Sequence, residues 1–160
     1  MEIKTVGVIG AGTMGNGIAH VFAKTGYEVV LVDLEQRLVD RGMQAIAKNM
    51  EREVSRQKLT AGQRDEALKR IRPSISRRDL AGCDLVVEAA SEKFEIKAEI
   101  FRDLEAICRP EVILASNTSS ISITKLAGVT KRPDQIIGMH FFNPVPLIDR
   151  KSTRLNSSHS

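Results

Sequence analysis

The sequence has few of the residues that mark secreted, membrane or metal-binding proteins. It contains no tryptophan, one tyrosine and two cysteines, Cys83 and Cys108, whose separation fits no metal-ligand spacing. We therefore expect two buried free thiols in a reducing compartment and no metal site. No apolar run approaches the roughly 20 residues needed to span a bilayer, and the first apolar segment begins too close to Met1 for a signal peptide. These absences predict a cytoplasmic protein without a membrane partner.

The positive charge of the chain is concentrated near its end. Residues 149–160 hold three basic side chains and one acidic side chain, which is +2 of the net charge of +4. The other 148 residues have 21 basic and 19 acidic side chains (24 less three, and 20 less one). Because this balance is close to neutral, the sequence predicts no nucleic-acid partner.

Hydrophobic patterning predicts strands that alternate with helices. Apolar, β-branched runs predict buried strands at 3–10, 27–33 and 83–90, and strands that run into loops at 111–120 and 135–144. Pro73 precedes a short extended piece, which is the third strand in chain order. Periodic apolar positions predict helices at 16–26, 35–58, 59–71, 92–107 and 122–129. We expect Gly26 to end the first helix and Thr60 to begin the third. This alternation is typical of an α/β fold with a mostly parallel, doubly wound sheet.

A glycine motif lies between the first predicted strand and the first predicted helix. Gly10 permits a tight turn, Gly12 lets the backbone approach a pyrophosphate, and Gly15 allows close helix–strand packing. Thr13 and Met14 stand where the helix N-terminus faces the phosphate charge. The same G-x-G-x-x-G pattern also occurs in glycine-rich turns that bind no ligand. The strand–turn–helix context favours a Rossmann-type domain that binds a dinucleotide.

The end of the second strand indicates which dinucleotide is bound. Asp33 ends that strand, 18 residues past Gly15, where a carboxylate accepts hydrogen bonds from the adenosine ribose hydroxyls. A carboxylate there would also repel a 2′-phosphate, although Arg37 is near enough in sequence to soften that repulsion. The sequence therefore predicts NAD, in preference to NADP, as the cofactor.

The remaining strand ends carry further polar residues. Glu88 ends the fourth strand and is followed by Lys93, and a run of hydroxyl and amide side chains from Ser116 to Ser120 follows the fifth. This run suits a nicotinamide or substrate contact, or a helix cap at Ser120 or Ser122. His140, at the end of the last strand, has a side chain suited to general base catalysis.

Three segments together resemble the L-3-hydroxyacyl-CoA dehydrogenases. They are GVIGAGTMGNGIAHVFAKTGYEVVLVD, SNTSSISITKLA and RPDQIIGMHFFNPVP. The resemblance covers residues 3–148 and is nearest to the bacterial 3-hydroxybutyryl-CoA dehydrogenases. It implies NAD-dependent oxidation of a (3S)-3-hydroxyacyl-CoA, such as 3-hydroxybutyryl-CoA, to the 3-oxoacyl-CoA in fatty-acid or butanoate metabolism.

The resemblance also implies roles for particular residues. His140 matches the catalytic base, Ser119 matches a serine that contacts substrate and cofactor, and Asn143 matches an asparagine near the nicotinamide. Further matches to cofactor contacts are Asp33, Glu88 and Lys93. The family grips CoA with its long second helix, so the candidates here are Lys48, Arg52, Arg56 and Lys58. A solvated helix face explains these four charges equally well.

The end of the chain departs from the family pattern. The family has a glutamate twelve residues after the catalytic histidine, where this sequence has Ser152. It then continues into a helical domain that closes the cleft and mediates dimerisation, and we expect that domain to be missing here. One choice of codons for residues 149–159 spells a standard adapter of short-read DNA sequencing. We therefore expect an NAD-binding domain at 1–148, a non-native tail at 149–160, and little activity in this fragment.

Two other functions remain open from the sequence. One is an NAD-dependent dehydrogenase of a free 3-hydroxy acid, which would not need CoA. The other is a nucleotide-binding module without catalysis, such as a redox sensor, which would not need His140 as a base.

Overall fold

Six strands and five helices make up the described part of the computed structural model, which covers residues 2–118 and 120–139. For Ser120 and Ile121 only the backbone is described. The strands are β1 (Thr5–Ile9), β2 (Glu28–Val32), β3 (Ile71–Ser74), β4 (Leu85–Glu88), β5 (Ile113–Ser116) and β6 (Ile136–Gly138). The helices are α1 (Thr13–Thr25), α2 (Gln36–Ser55), α3 (Ala61–Lys69), α4 (Phe94–Ile107) and α5 (Ser120–Gly128).

All six strands pair in parallel, in the order β3-β2-β1-β4-β5-β6. This is the doubly wound order, in which the direction of winding reverses between β1 and β4. In that central pair Ile9 lies opposite Glu88, so the two strands end side by side. The predicted Rossmann-type fold is confirmed, and ligands of such sheets bind at this point, outside the carboxyl ends of the strands.

The sheet is covered by hydrophobic packing on both faces. One core cluster joins Val6 and Val8 of β1 to Phe22 of α1 and Met50 of α2. The other joins Val86 and Leu114 of β4 and β5 to Phe101 and Leu104 of α4. Because both faces are buried, the central strands consist almost entirely of apolar residues, which is why sequence patterning identified them.

Two predicted helix ends are confirmed. Gly26 adopts φ +114°, and the N–H groups of Gly26 and Tyr27 donate to the carbonyls of Ala23 and Phe22. Thr60 begins α3 in a capping box: its hydroxyl accepts from the Gln63 N–H at 3.0 Å, and the Gln63 side chain accepts from the Thr60 N–H at 2.9 Å.

Some element boundaries differ from the predictions. Helix α2 ends at Ser55, before Gln57, which adopts φ +59°. Strand β3 begins before Pro73 and includes it, which is possible because an edge strand can do without one N–H. Ser120 and Ser122 both lie within α5, so neither is its N-cap. Two 3₁₀ turns, Arg77–Leu80 and Pro133–Gln135, were not predicted.

The two cysteines are buried and free, as expected. Burial raises the pKa of Cys83 to about 12 and also raises the pKa of Cys108. Within the residues that the structure describes, no helix combines the length and the apolar character needed to cross a bilayer.

Candidate functional site

The glycine-rich loop follows β1 and depends on residues without side chains. Gly10 adopts φ +103°, and a Cβ atom there would lie 2.7 Å from the carbonyl oxygen of Ala89. A Cβ atom on Gly15 would lie 1.7 Å from the carbonyl oxygen of Gly10. Both positions therefore exclude every other residue, the first through its backbone conformation and the second through the close approach of α1 to the loop.

Gly12, unlike Gly10 and Gly15, faces open space. A Cβ atom on Gly12 would meet no atom within 4 Å, so the loop opens here toward free space. Helix α1 begins at the next residue, Thr13, with no acidic residue in its first turn and no side-chain cap. Its N-terminal N–H groups and helix dipole favour an anion at this opening. The loop thus fits the pyrophosphate of a dinucleotide.

Asp33 lies just past the end of β2, beside the glycine-rich loop. Its Oδ2 accepts from the Ala11 N–H at 2.8 Å, and its Oδ1 accepts from the Leu34 N–H at 2.7 Å. A carboxylate has about four lone-pair positions, so two acceptor positions remain for the hydroxyls of a ribose. Asp33 therefore fits the predicted ribose contact and also holds the loop in place.

A cleft of about 600 Å³ opens next to Asp33. Its walls include Leu34, Ile75 and Ile96, which are 75%, 55% and 41% exposed and are the exposed large hydrophobic residues of the described chain. Exposed apolar side chains that gather in one cleft indicate a ligand surface. An adenine ring, apolar on both faces, fits between such walls.

Arg77 and Asp103 also line this cleft. The Arg77 guanidinium donates to the Asp103 carboxylate at 2.5 Å and lies 3.8 Å from Glu99. These contacts tie the 3₁₀ turn at Arg77–Leu80 to helix α4. The sequence did not identify this connection, because the turn itself was not predicted.

Glu88 is fully buried and has internal partners at both carboxylate oxygens. Lys97 and Ser116 each donate to Oε1 at 2.6 Å. The N–H groups of Ala90 and Ser91 donate to Oε2 at 2.8 and 3.1 Å. The Glu88 carboxylate therefore binds together the ends of β4 and β5 and the start of α4.

Lys97 was missed by sequence reasoning, although a signal was present. It lies three, four and seven residues before Ile100, Phe101 and Leu104, so it stands on the apolar stripe of α4. A lysine on such a stripe must find a buried acidic partner. Lys93, which was predicted as a cofactor contact, is exposed and precedes the first residue of α4.

Ser119, His140 and Asn143 lie outside the described residues. Their described neighbours Asn117 and Met139 lie at the carboxyl ends of β5 and β6. The Met139 N–H donates to the Ser116 carbonyl at 3.1 Å, and the Asn117 N–H donates to the Glu88 carbonyl at 3.4 Å. The carboxyl ends of β4, β5 and β6 thus lie side by side, and β4 is the neighbour of β1, which leads into the glycine-rich loop.

The CoA candidates are divided between α2 and the segment after it. Lys48 and Arg52 lie on α2, Arg56 directly follows it, and all three are exposed at intervals of four residues, which places them along one face. Lys58 comes after the left-handed Gln57 and borders a separate cleft with Thr60 and Gln63. The structure brings three of the four candidates together.

A second charged cluster joins α1 to α2. Glu53 accepts from His20 and from Lys24, the latter at 2.5 Å, and all three side chains are largely buried. Burial lowers the pKa of His20, although the bond to Glu53 acts to raise it. Burial acts to raise the pKa of Glu53, but hydrogen bonds from Lys24 and His20 outweigh it, so the pKa is lowered. Among the described residues no group of acidic, His and Cys side chains could hold a metal ion.

Comparison with known proteins places these features in a family. The family described as 3-hydroxyacyl-CoA dehydrogenase, NAD binding domain, matches residues 5–149. A 3-hydroxybutyryl-CoA dehydrogenase from Bradyrhizobium diazoefficiens is 53% identical over 147 residues, which is 92% of this chain and 50% of that protein. A 3-hydroxyadipyl-CoA dehydrogenase from Escherichia coli is 44% identical over 92% of this chain and 31% of its own length. The chain therefore spans half or less of the length of these relatives.

Solved structures show the same fold at similar identity. The crystal structure of an (S)-3-hydroxybutyryl-CoA dehydrogenase from Ralstonia eutropha superposes with a TM-score of 0.89 at 44% identity. The superposition covers 98% of this chain and 58% of that one. The opening at Gly12, the carboxylate of Asp33 and the apolar cleft therefore lie on a fold whose solved examples include dehydrogenases.

Proposed function

Since the chain belongs to the 3-hydroxyacyl-CoA dehydrogenase family, whose NAD-binding domain it contains, we propose that the whole protein oxidises a (3S)-3-hydroxyacyl-CoA to the 3-oxoacyl-CoA. The observation that carries the proposal is the position of Asp33, which accepts from the Ala11 N–H next to the Gly12 opening and also lines the apolar cleft, so that sites for pyrophosphate, ribose and adenine follow one another. The names of the relatives support the 3-hydroxyacyl-CoA substrate, with 3-hydroxybutyryl-CoA as the first candidate.

The described residues would bind and orient NAD at one end. The N–H groups at the start of α1, including those of Gly12, Thr13 and Met14, would hold the pyrophosphate. Asp33 would accept hydrogen bonds from the ribose, and Leu34 would border the adenine. When bound, NAD supplies the hydride acceptor for the oxidation.

His140 is our candidate for the general base. An imidazole nitrogen would take the proton of the 3-hydroxyl group as the same carbon loses a hydride. The position of His140 in the chain supports this role, because it directly follows Met139, whose N–H is bonded to the end of β5. We assign Ser119 to substrate and cofactor contact and Asn143 to the nicotinamide end, by their match to the family motifs.

The exposed cations at Lys48, Arg52 and Arg56 are the candidates for binding the CoA phosphates, with Lys58 as an outlying fourth. Their spacing along one helix face supports this assignment, as does the CoA thioester in the names of the relatives. We further propose fatty-acid or butanoate metabolism as the setting, a homodimer as the assembly and the cytoplasm, as a reducing compartment, as the location.

A chimera tests the proposed function with both halves of a dehydrogenase present. Residues 1–148 replace the matching segment of the B. diazoefficiens relative, and oxidation of NADH is followed with acetoacetyl-CoA and with free acetoacetate. We expect turnover with the thioester and little with the free acid. His140→Ala should lower kcat by about 100- to 10,000-fold, the range for loss of a general base.

Two results would contradict the proposal. Equal turnover of free acetoacetate would identify the enzyme as a dehydrogenase of free 3-hydroxy acids. A chimera that binds NADH but turns over neither substrate, with or without His140→Ala, would favour the nucleotide-binding module.

A further inference from the structure

Helix α2 packs very closely against the glycine-rich loop at Gly42. A Cβ atom on Gly42 would lie 2.8 Å from the Ala11 Cβ and 2.8 Å from the Ala11 carbonyl oxygen. Well-packed interiors have no room to relieve so short a contact, and here one of the contacted atoms is backbone. Any side chain at position 42 would therefore have to displace the Ala11 peptide or move α2 away from it.

Ala11 is also held by two hydrogen bonds from other elements. Its N–H donates to Asp33 Oδ2 at 2.8 Å, and its carbonyl oxygen accepts from Asn16 Nδ2 at 3.3 Å. Asn16 is only 9% exposed and is one of the few buried polar residues of the described chain. The end of β2, helix α1 and helix α2 thus all meet at this one residue of the loop.

The planar peptide bond between Ala11 and Gly12 links the position of the Ala11 carbonyl to the direction of the Gly12 N–H. The Ala11 carbonyl and the Gly12 N–H belong to one planar unit, and in a trans peptide they point in opposite directions. Because the carbonyl points toward Asn16 and lies against Gly42, the Gly12 N–H points away from them. Gly12 is the residue at which the loop opens to free space.

We infer that Gly42 and Asn16 are positioning residues for the dinucleotide: they set the Ala11–Gly12 peptide so that its N–H can donate to the pyrophosphate. The inference rests on the NAD-binding part of the proposed function and is independent of the acyl-CoA substrate. Neither residue belongs to the three glycines of the motif. Helix α2 is thereby part of the cofactor site as well as the carrier of the exposed cations Lys48 and Arg52.

Gly42→Ala in the 160-residue chain tests the inference by calorimetric titration with NADH, ADP-ribose and adenosine. We expect Kd for NADH and ADP-ribose to rise by about 10- to 100-fold, the range for loss of one hydrogen bond to a charged group. Adenosine has no pyrophosphate, so its Kd should not change. Gly62→Ala is the matched control, because it adds the same methyl group to α3, where the nearest atom is 3.9 Å away.

Asn16→Ala provides a second test that adds no atoms to the core. It removes the donor to the Ala11 carbonyl, and we expect Kd for NADH and ADP-ribose to rise by about 3- to 10-fold with adenosine unchanged. If Gly42→Ala does not fold, this variant decides the question. An unchanged Kd for NADH in the folded variants overturns the inference, and so does an equal loss for adenosine.

The same titrations separate this inference from the larger proposal. An original chain that does not bind NADH overturns the cofactor site and this inference with it. A chain that binds NADH and shows the expected losses, while the chimera fails to reduce acetoacetyl-CoA, leaves the inference standing and contradicts only the proposed substrate.

Discussion

Single buried charges determine much of how the ends of the strands are arranged. Glu88 is completely buried, yet its carboxylate accepts hydrogen bonds from two side chains and from two backbone N–H groups. Of its partners among the described residues, Lys97 is the one whose positive charge balances it. A buried pair of this kind is costly to break, because the remaining charge loses both its partner and its access to water.

Lys97→Met tests the importance of this pair. We expect the free energy of unfolding to fall by about 3–5 kcal/mol, because the carboxylate of Glu88 would stay buried without its partner. Urea denaturation followed by circular dichroism measures the change. The double variant Glu88→Gln/Lys97→Met should recover a large part of the loss. A single variant as stable as the original chain would show that the pair does not contribute.

At the scale of elements, the contact between α1 and α2 contains two titratable side chains whose pKa values are lowered, His20 and Glu53. His20 lies in this contact with a lowered pKa, and it is bonded to Glu53, whose pKa is also lowered. In the unfolded chain His20 would bind a proton near its ordinary pKa of 6.5. Since the unfolded state then holds more protons, the free energy of unfolding falls as the pH is lowered through 6.5. Protonation of Glu53 lowers the free energy of unfolding further as the pH falls below 4.5, the ordinary pKa of a glutamate.

His20→Gln isolates the histidine's part of this dependence. We expect the variant to lose less stability than the original chain between pH 7 and pH 5, because glutamine does not titrate. Denaturant unfolding at several pH values measures both slopes. Glu53→Gln is the companion variant, and its slope should differ mainly below pH 5. Parallel slopes for the original chain and His20→Gln would show that His20 is not linked to folding.

At the scale of the whole molecule, the match to the family ends close to the predicted domain boundary. The family covers residues 5–149, and the sequence predicts an NAD-binding domain at 1–148. The assignment of residues 149–160 as translated adapter stays a prediction. Sequencing the source DNA across codon 149 tests it: we expect native codons that continue the family pattern, and a genomic run that encodes DRKSTRLNSSH would contradict it.

Local patterns explain which parts of the fold could be predicted. The buried strands, the cap at Gly26 and the capping box at Thr60 are each encoded by residues close together in the chain. The 3₁₀ turn at Arg77–Leu80 was missed because its four residues have no hydrophobic period. Its structure depends on contacts with α4, which is distant in sequence.

The sequence by itself determined the order of strands and helices, the glycine turn and the acid at the end of β2, because each is a pattern of residues close together in the chain. Only the tertiary structure decided that Lys97 neutralises Glu88, that three exposed apolar residues form one cleft, and that Gly42 lies against Ala11. These contacts join residues far apart in the chain. Their distances are set by how the helices pack on the sheet, and no local pattern records that packing.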